Sequence, residues 1–151
     1  MLVLVCVHAL PCPWYNSNTA HSDEKQAVMM RGAMEGLFNQ HHVNLAVQGH
    51  VHAYERTHPV NNNNVTQQGV VYITIGDGGN AEGHAATYAV PTPSWSAYTN
   101  GTQFGHGVVH IFNETHMEWE WHRNVDGEAV VKDRLLLCNT GLGLPADCGG
   151  L

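Results

Sequence analysis

Histidines follow two short apolar segments, and imidazole is a frequent ligand for zinc and iron. His8 ends an apolar run at the start of the chain, and His50 and His52 come directly after the apolar run 43–47 and Gly49. Two histidines at i and i+2 on an extended turn project from one edge, and the glycine lets the backbone approach an ion closely. Sites in open α/β sheets form at the carboxyl ends of strands. The His50/His52 pair therefore predicts a metal site, whereas His8 alone is also typical of a packed ring.

The first half of the chain must place these histidines on strands and one helix. Residues 2–7 are predicted to form a strand, 9–21 a loop and 43–47 a second strand. A helix over 22–41 is predicted, because Ser22-Asp-Glu24 is typical of a helix start with acidic residues in the first turn. Its core-facing positions recur at helical spacing: Met30, Ala33, Met34, Leu37 and His41.

The second half of the chain is predicted to be mostly β-structure. The strand 70–75 leads into a glycine-rich turn at 76–80, and residues 81–103 are irregular in pattern. Three further strands are predicted at 107–113, 116–123 and 128–137, with a hairpin turn over 124–127.

Composition and charge exclude several classes of protein. The 151 residues carry 6 Lys+Arg against 13 Asp+Glu, for a net charge of −7 and no basic cluster, so a nucleic-acid-binding groove is not expected. No apolar run reaches the roughly 18 residues that a membrane helix needs. Protonating all 12 histidines would change the net charge to +5, which suits an acidic or extracellular setting.

Sequons and cysteines favour secretion. Three Asn-x-Thr sequons begin at Asn64, Asn100 and Asn113. Cys138 and Cys148 bracket a Gly/Pro-rich tail and are candidates for a disulfide loop, whereas Cys6 and Cys12 are expected to stay apart. The predicted location is secreted or extracellular, with vacuole or lysosome as alternatives.

A series of motifs resembles one enzyme family. Val5-Cys-Val-His8, Pro13-Trp-Tyr-Asn-Ser17 and Gly49-His-Val-His-Ala-Tyr-Glu-Arg56 are followed by Tyr72-Ile-Thr-Ile-Gly-Asp-Gly-Gly-Asn80, Phe104-Gly-His-Gly107 and Trp119-Glu-Trp-His-Arg-Asn124. In this order they resemble the C-terminal half of purple acid phosphatases, which are calcineurin-like dinuclear metallophosphoesterases. The resemblance extends from residue 1 to about 138.

The resemblance implies a metal-dependent hydrolase of phosphate monoesters. His8 and His50 correspond to ligands of a divalent metal (zinc, manganese or iron), and His52 to a ligand of Fe(III). His21 corresponds to a histidine that faces the phosphate and protonates the leaving alcohol. The partner is then a phosphate monoester, and the intact protein is compatible with a homodimer.

The sequence departs from the family pattern in three places. Leu10–Cys12 is an insertion before Pro13, and Ala20 stands where many members have a second histidine beside His21. The family's carboxylate motifs Asp-x-Gly, Gly-Asp-x-x-Tyr and Gly-Asn-His-Asp/Glu have no match upstream of the histidine motifs, where the family has them, and Gly76-Asp77 continues as Gly-Gly-Asn without the tyrosine. Since a bridging carboxylate holds the two cations about 3.5–4 Å apart, the 151 residues alone are expected to be an inactive fragment.

Two other classes of protein remain as alternatives. The first is a catalytically inactive secreted metal-binding fragment or pseudoenzyme. The second is a cupin-like barrel, because His50-Val-His52 is followed by Glu55. The spacing to Glu55 is one residue short for a cupin, and a helix over 22–41 does not suit a small barrel.

The predicted fold is α+β, the second half of a metallophosphatase β-sandwich flanked by helices, with a β-rich C-terminal segment. The predicted divisions are 1–58, part of the catalytic domain, 59–137, the C-terminal segment, and 138–151, a tail.

We expect several polar side chains near the motifs to have structural roles. Glu55 and Arg56 are expected to pair, either behind the metal ligands or on the surface. Asp77 is expected to belong to a plain turn, and His106 and His122 to strands or turns.

Overall fold

The computed structural model describes residues 5–10, 12–125 and 128–149, and for 5–10 it describes the backbone only. The helix α1 is Lys25–Gln40, and a short 3-10 helix covers Thr140–Leu142. The strands of the described residues are β1 (Val5–Leu10), β2 (Leu45–Gln48), β3 (Tyr54–Thr57), β4 (Val60–Asn61), β5 (Asn64–Val65), β6 (Val71–Ile75), β7 (Ser96–Asn100), β8 (Gly105–Ile111), β9 (His116–Val125) and β10 (Glu128–Cys138).

The strands form two main sheets and a small hairpin. The five-stranded sheet has the order β1-β2-β6-β3-β7, with β1, β2 and β6 parallel and β3 antiparallel to both its neighbours. The three-stranded sheet has the order β10-β9-β8 and is antiparallel throughout. Strands β4 and β5 pair around Asn62 and Asn63, both of which have positive φ. The predicted α+β class is confirmed.

The two sheets pack face to face through one apolar core. Side chains alternate across a strand, so Val71 and Ile73 face the three-stranded sheet while Tyr72 faces the opposite side. Tyr54 stacks on Trp121 with the ring centroids 4.6 Å apart. The buried members of this core are Leu45, Tyr54, Val71, Ile73, Met117, Trp119, Trp121, Leu135 and Leu137.

A second apolar cluster lies on the other face of the five-stranded sheet, beneath α1. Phe38 packs there on Trp14, with ring centroids 4.9 Å apart. The helix buries Ala27, Glu35 and Phe38, which differs from the predicted core face. Met34 and Leu37 are exposed by 39% and 45%. The buried face of α1 thus differs from the predicted one. It includes Glu35, which accepts a hydrogen bond from the hydroxyl of Tyr15.

Two predictions need correction, and one strand was not predicted. Strand β1 continues past His8 to Leu10, with an irregular register against β2 between Cys6 and Leu10. The segment predicted to be irregular contains β7, which pairs with β3 along the sheet edge. The motif that follows His52 is itself strand β3. Short pairings of this kind depend on distant partners rather than on local periodicity. Residues 126–127 of the predicted hairpin turn lie outside the described residues.

A buried polar network ties the two sheets together. Arg56 donates two hydrogen bonds to Asp133 on β10, at 2.6 and 2.8 Å, and the hydroxyl of Tyr54 donates a third at 2.7 Å. Trp119 donates its indole N–H to the Tyr54 hydroxyl at 2.7 Å. Asp133 is 7% exposed, and its charge is compensated by the guanidinium, as a buried carboxylate requires.

The neighbouring carboxyl of Glu55 anchors the loop on the other face of the sheet. It accepts hydrogen bonds from the backbone N–H and the hydroxyl of Ser17, and from the hydroxyl of Ser96 at 2.6 Å. The expected pairing of Glu55 with Arg56 is therefore wrong, because adjacent strand residues point to opposite faces. Glu55 is 1% exposed, so it fixes the loop before α1 to β3.

The C-terminal tail is joined back to the three-stranded sheet. Cys138, at the end of β10, is bonded to Cys148, with the two Cα atoms 5.8 Å apart. The N–H of Ala146 donates to the carbonyl of Gln67 at 2.7 Å, which fixes the tail to the rest of the molecule. Within the described residues, no helix combines the length and apolar character that a membrane crossing demands.

Gly76 lets the end of β6 approach the segment that carries the histidines. A Cβ at this position would overlap the carbonyl oxygen of Val51. The Gly76→Ala substitution should lower the free energy of unfolding by about 1–3 kcal/mol, because backbone has to move. Gly78→Ala is the matched control, with nothing within 4 Å of its Cβ, and should stay within about 0.5 kcal/mol. Urea denaturation measures both, and equal effects would contradict the close approach.

Burial raises the pKa of Glu55 above the ordinary 4.5, although its hydrogen bonds with Ser17 and Ser96 oppose the shift. The folded state thus binds the proton more tightly than the unfolded state, so this carboxyl stabilises the fold most at low pH. Its contribution should decline as the pH rises from 4.5 through the raised folded pKa.

Glu55→Gln should remove this dependence, because the amide does not titrate. The difference in unfolding free energy between wild type and variant, measured by urea titration at several pH values, should change in that window and level off above it. Glu128→Gln, at an exposed position, is the control. Parallel pH profiles of the unfolding free energy for wild type and Glu55→Gln would contradict a raised pKa of this carboxyl in the folded state.

Candidate metal centre

The predicted pair His50 and His52 lies in the turn between β2 and β3, at the carboxyl end of β2. His50 has a φ of 76°, a left-handed conformation that is uncommon for a residue with a Cβ. The turn is held by short backbone hydrogen bonds from Val51 to Gly49 and from Ala53 to Val51, at 3.0 and 2.7 Å. Strained backbone of this kind occurs often at functional sites.

His21 lies against His50, with the two ring centroids 4.0 Å apart. Between them is Glu24, whose Oε1 is 2.6 Å from Nδ1 of His21 and 3.3 Å from Nε2 of His50. The ligand atoms of these three residues lie within 4.8 Å of one another. The structure therefore brings together the predicted acid, one predicted ligand and a carboxylate that was predicted only as part of a helix start.

Glu24 is held ionised by its neighbours. A hydrogen bond from His21 is the main cause of its lowered pKa; desolvation opposes the shift, and the contact with His50 adds to it. Its position three residues after His21 is the local signal that identifies it, because that spacing lets a loop residue reach the start of a helix.

His52 and His8 are not part of this cluster as described. Nδ1 of His52 lies 3.6 Å from a carboxylate oxygen of Glu82, in the segment after the glycine-rich turn. The backbone of His8 lies in β1, beside β2, and its side chain is outside the described residues. The structure thus separates His50 and His52 onto different carboxylate neighbours.

Hydrogen bonds anchor the loop before α1, which carries His21, to other parts of the molecule. Trp14 donates its backbone N–H to the side chain of Gln48, at the end of β2, at 3.0 Å. Cys12 is a buried free thiol at the start of this loop, and Pro11 is outside the described residues. The backbone N–H of Thr19 donates to the carbonyl of Thr87 at 2.9 Å. These contacts hold the loop in the position that places His21 next to His50.

The glycine-rich turn after β6 is structural at Asp77, as expected. Asp77 is fully buried and accepts a hydrogen bond from the indole N–H of Trp121 at 2.8 Å. Burial raises its pKa, against the opposing effect of that hydrogen bond. Asp77 therefore has a structural role: its buried carboxylate binds Trp121 and is not a candidate metal ligand.

The donor set fits a transition-metal ion. Two imidazoles and a carboxylate are the ligands that zinc and non-haem iron accept in proteins. Open depressions flank the cluster: one of about 460 Å³ is lined by Glu24 and His50, and one of about 220 Å³ is lined by His21 and Arg31. The arrangement can hold an ion next to a histidine that borders a pocket.

Comparison with known proteins places the chain in a family. Residues 69–133 match the family described as iron/zinc purple acid phosphatase-like protein C. The chain is 48% identical over 135 residues to probable purple acid phosphatase 20 of Arabidopsis thaliana, covering 89% of this chain and 31% of the relative. It is 44% identical over 148 residues to purple acid phosphatase 1 of Ipomoea batatas, covering 91% and 30%. The chain thus spans about 30% of the length of these relatives.

Solved structures are similar as well. The purple acid phosphatase PPD1 from yellow lupin seeds matches 70% of this chain and 19% of its own, with a TM-score of 0.59 and 26% identity. GAP50, the anchor in the inner membrane complex of Plasmodium, matches 80% of this chain and 35% of its own with a TM-score of 0.55; at 17% identity it shows the fold alone. By motif order, sequence identity and fold, the chain belongs to the purple acid phosphatase family.

Proposed function

We propose that this chain supplies the histidine half of a dinuclear metal centre that hydrolyses phosphate monoesters. The observation that carries the proposal is the convergence of His21, Glu24 and His50 at the end of β2. It occurs in a chain 48% identical to a purple acid phosphatase. The family's motifs Gly-Asp-x-x-Tyr and Gly-Asn-His-Asp/Glu have no match in the sequence, so we assign the activity to a longer chain that contains them.

The proposed ligands are His8 and His50 for a divalent ion, and His52 for Fe(III). Bound metals supply a Lewis acid and a nucleophilic hydroxide. The divalent ion in this proposal is zinc, manganese or iron, as the resemblance to the family implies.

The proposed role of His21 is to donate a proton to the leaving alcohol. Its Nδ1 is engaged by Glu24, so its Nε2 is the atom that carries the transferred proton. Glu24 fixes the orientation of the ring at the start of α1. His21 also lines the pocket of about 220 Å³, where a leaving group can lie.

The test compares this chain with a longer chain that includes the family's carboxylate motifs. Both are loaded with iron and zinc, and metal content and hydrolysis of p-nitrophenyl phosphate are measured on the same samples. At the proposed centre, the longer chain should hold two metals and turn over, whereas this chain should hold at most one there, loosely, without turnover. In the longer chain His21→Ala should lower kcat by about 10²–10⁴-fold, the usual effect of losing a general acid.

His41→Ala, at an exposed position after α1, is the matched histidine control and should leave metal content and kcat unchanged. Two tightly held metals and turnover in the 151 residues would contradict the half-site. Two metals without turnover in the longer chain would contradict the phosphatase and favour a pseudoenzyme.

We also propose that the protein is secreted. Asn64 and Asn113 are exposed, and the Cys138–Cys148 bond suits an oxidising compartment. Asn100 is half-buried, and its amide donates to Gln103 at 3.0 Å. Expression in a eukaryotic secretory host should therefore give glycans at Asn64 and Asn113, and mass spectrometry after glycosidase treatment should detect them. Unmodified asparagines at both positions would contradict secretion through this route.

A further inference from the structure

The outer face of the three-stranded sheet carries polar side chains with metal-binding chemistry. Its inner face packs against the five-stranded sheet, and the alternate residues of β8 and β9 point the other way. The register places His110 opposite Glu118, and His106 opposite His122. Glu120 lies between these two cross-strand pairs. This face is remote in sequence from the histidines at the end of β2.

Three of these side chains converge. Nε2 of His110 is 3.4 Å from Oε2 of Glu120, and the ligand atoms of His110, Glu118 and Glu120 all lie within 4.8 Å of one another. In a tetrahedral zinc site, bonds of about 2.0–2.2 Å put neighbouring ligand atoms roughly 3.3 Å apart. The spacing between His110 and Glu120 therefore already matches one edge of such a site.

The central carboxylate is fixed before any ion arrives. Nε2 of His122 lies 2.9 Å from Oε2 of Glu120, and the ring of His122 stacks on that of His106 with centroids 5.1 Å apart. Desolvation disfavours ionisation of Glu120, but hydrogen bonds from His122 and Arg134 outweigh it and lower its pKa. An ionised, oriented carboxylate is what a metal ligand requires.

Arg134 now compensates the charge of the two carboxylates. It donates a hydrogen bond to Oε1 of Glu120, and its Nε is 3.6 Å from Glu118. Its side chain is 58% exposed, so a change of rotamer can move the guanidinium into solvent. A guanidinium can thus act as a replaceable counterion for the pair.

We propose that His110, Glu118 and Glu120 form a second, zinc-type metal site on the outer face of the three-stranded sheet. His122 orients Glu120 in that site. Arg134 competes with the ion, and metal binding displaces it from the carboxylates. The site rests on rigid antiparallel strands and does not depend on the histidines of the proposed phosphatase centre.

The experiment titrates zinc into the full 151-residue chain carrying His50→Ala and His52→Ala, with a chromophoric zinc indicator as competitor. One zinc per chain should remain in this background. Adding His110→Ala or Glu118→Gln should weaken its Kd by at least about tenfold, a loss typical of altered metal surroundings. Arg134→Gln should tighten the Kd, because it removes the competing cation. His41→Ala is the matched histidine control and should change nothing.

Zinc binding that is absent from this background, or a Kd unchanged by both His110→Ala and Glu118→Gln, would overturn the proposal. Far-UV circular dichroism checks that each variant folds. A second measurement does not use the His50→Ala and His52→Ala substitutions. In the otherwise unchanged chain, His110→Ala should lower the number of bound zinc ions by one. An unchanged number there would also overturn it, whatever the outcome for phosphatase activity.

Discussion

The alternation of side chains along β3 governs how the layers of this protein are held together. Tyr54 and Arg56 point to one face, where they meet Asp133 of the three-stranded sheet. Glu55 points to the other face, where it accepts hydrogen bonds from Ser17 in the loop before α1. Strand β3, which has four residues, therefore joins the five-stranded sheet to the three-stranded sheet on one face and to the loop before α1 on the other. It also begins two residues after His52, so the same contacts fix the turn that carries the histidines.

The candidate centre depends on this fastening. His21 and His50 are 29 positions apart, and both adopt positive φ values that the surrounding contacts must maintain. Glu24, at the N-cap of α1, joins them through one carboxylate oxygen. The chain thus builds an imidazole and carboxylate cluster from its own residues. In the proposed centre the bridging carboxylates come from a longer chain, which is why the proposed activity requires one.

The two faces of the three-stranded sheet serve different purposes because the pleat separates them. On the inner face, Trp119 and Trp121 fill the space between the sheets, and Gly107 leaves room for the ring of Trp119. On the outer face, histidines and glutamates share hydrogen bonds around Glu120. The proposed zinc ligands therefore lie on the face opposite the apolar core.

The sequence by itself determined the helix over most of 25–40, the main strands and the histidine pair after β2, because these depend on local periodicity and short motifs. It also indicated the family through motif order. Only the tertiary structure decided that Glu24 joins His21 to His50, that His52 has a different neighbour, and that Glu55 and Arg56 part to opposite faces. It also decided that Met34 and Leu37 are exposed, since the rotation of α1 is set by Tyr15 and Glu35. Periodicity fixes which residues share a face, whereas contacts such as Ser17–Glu55, separated by 38 positions, depend on how distant segments pack.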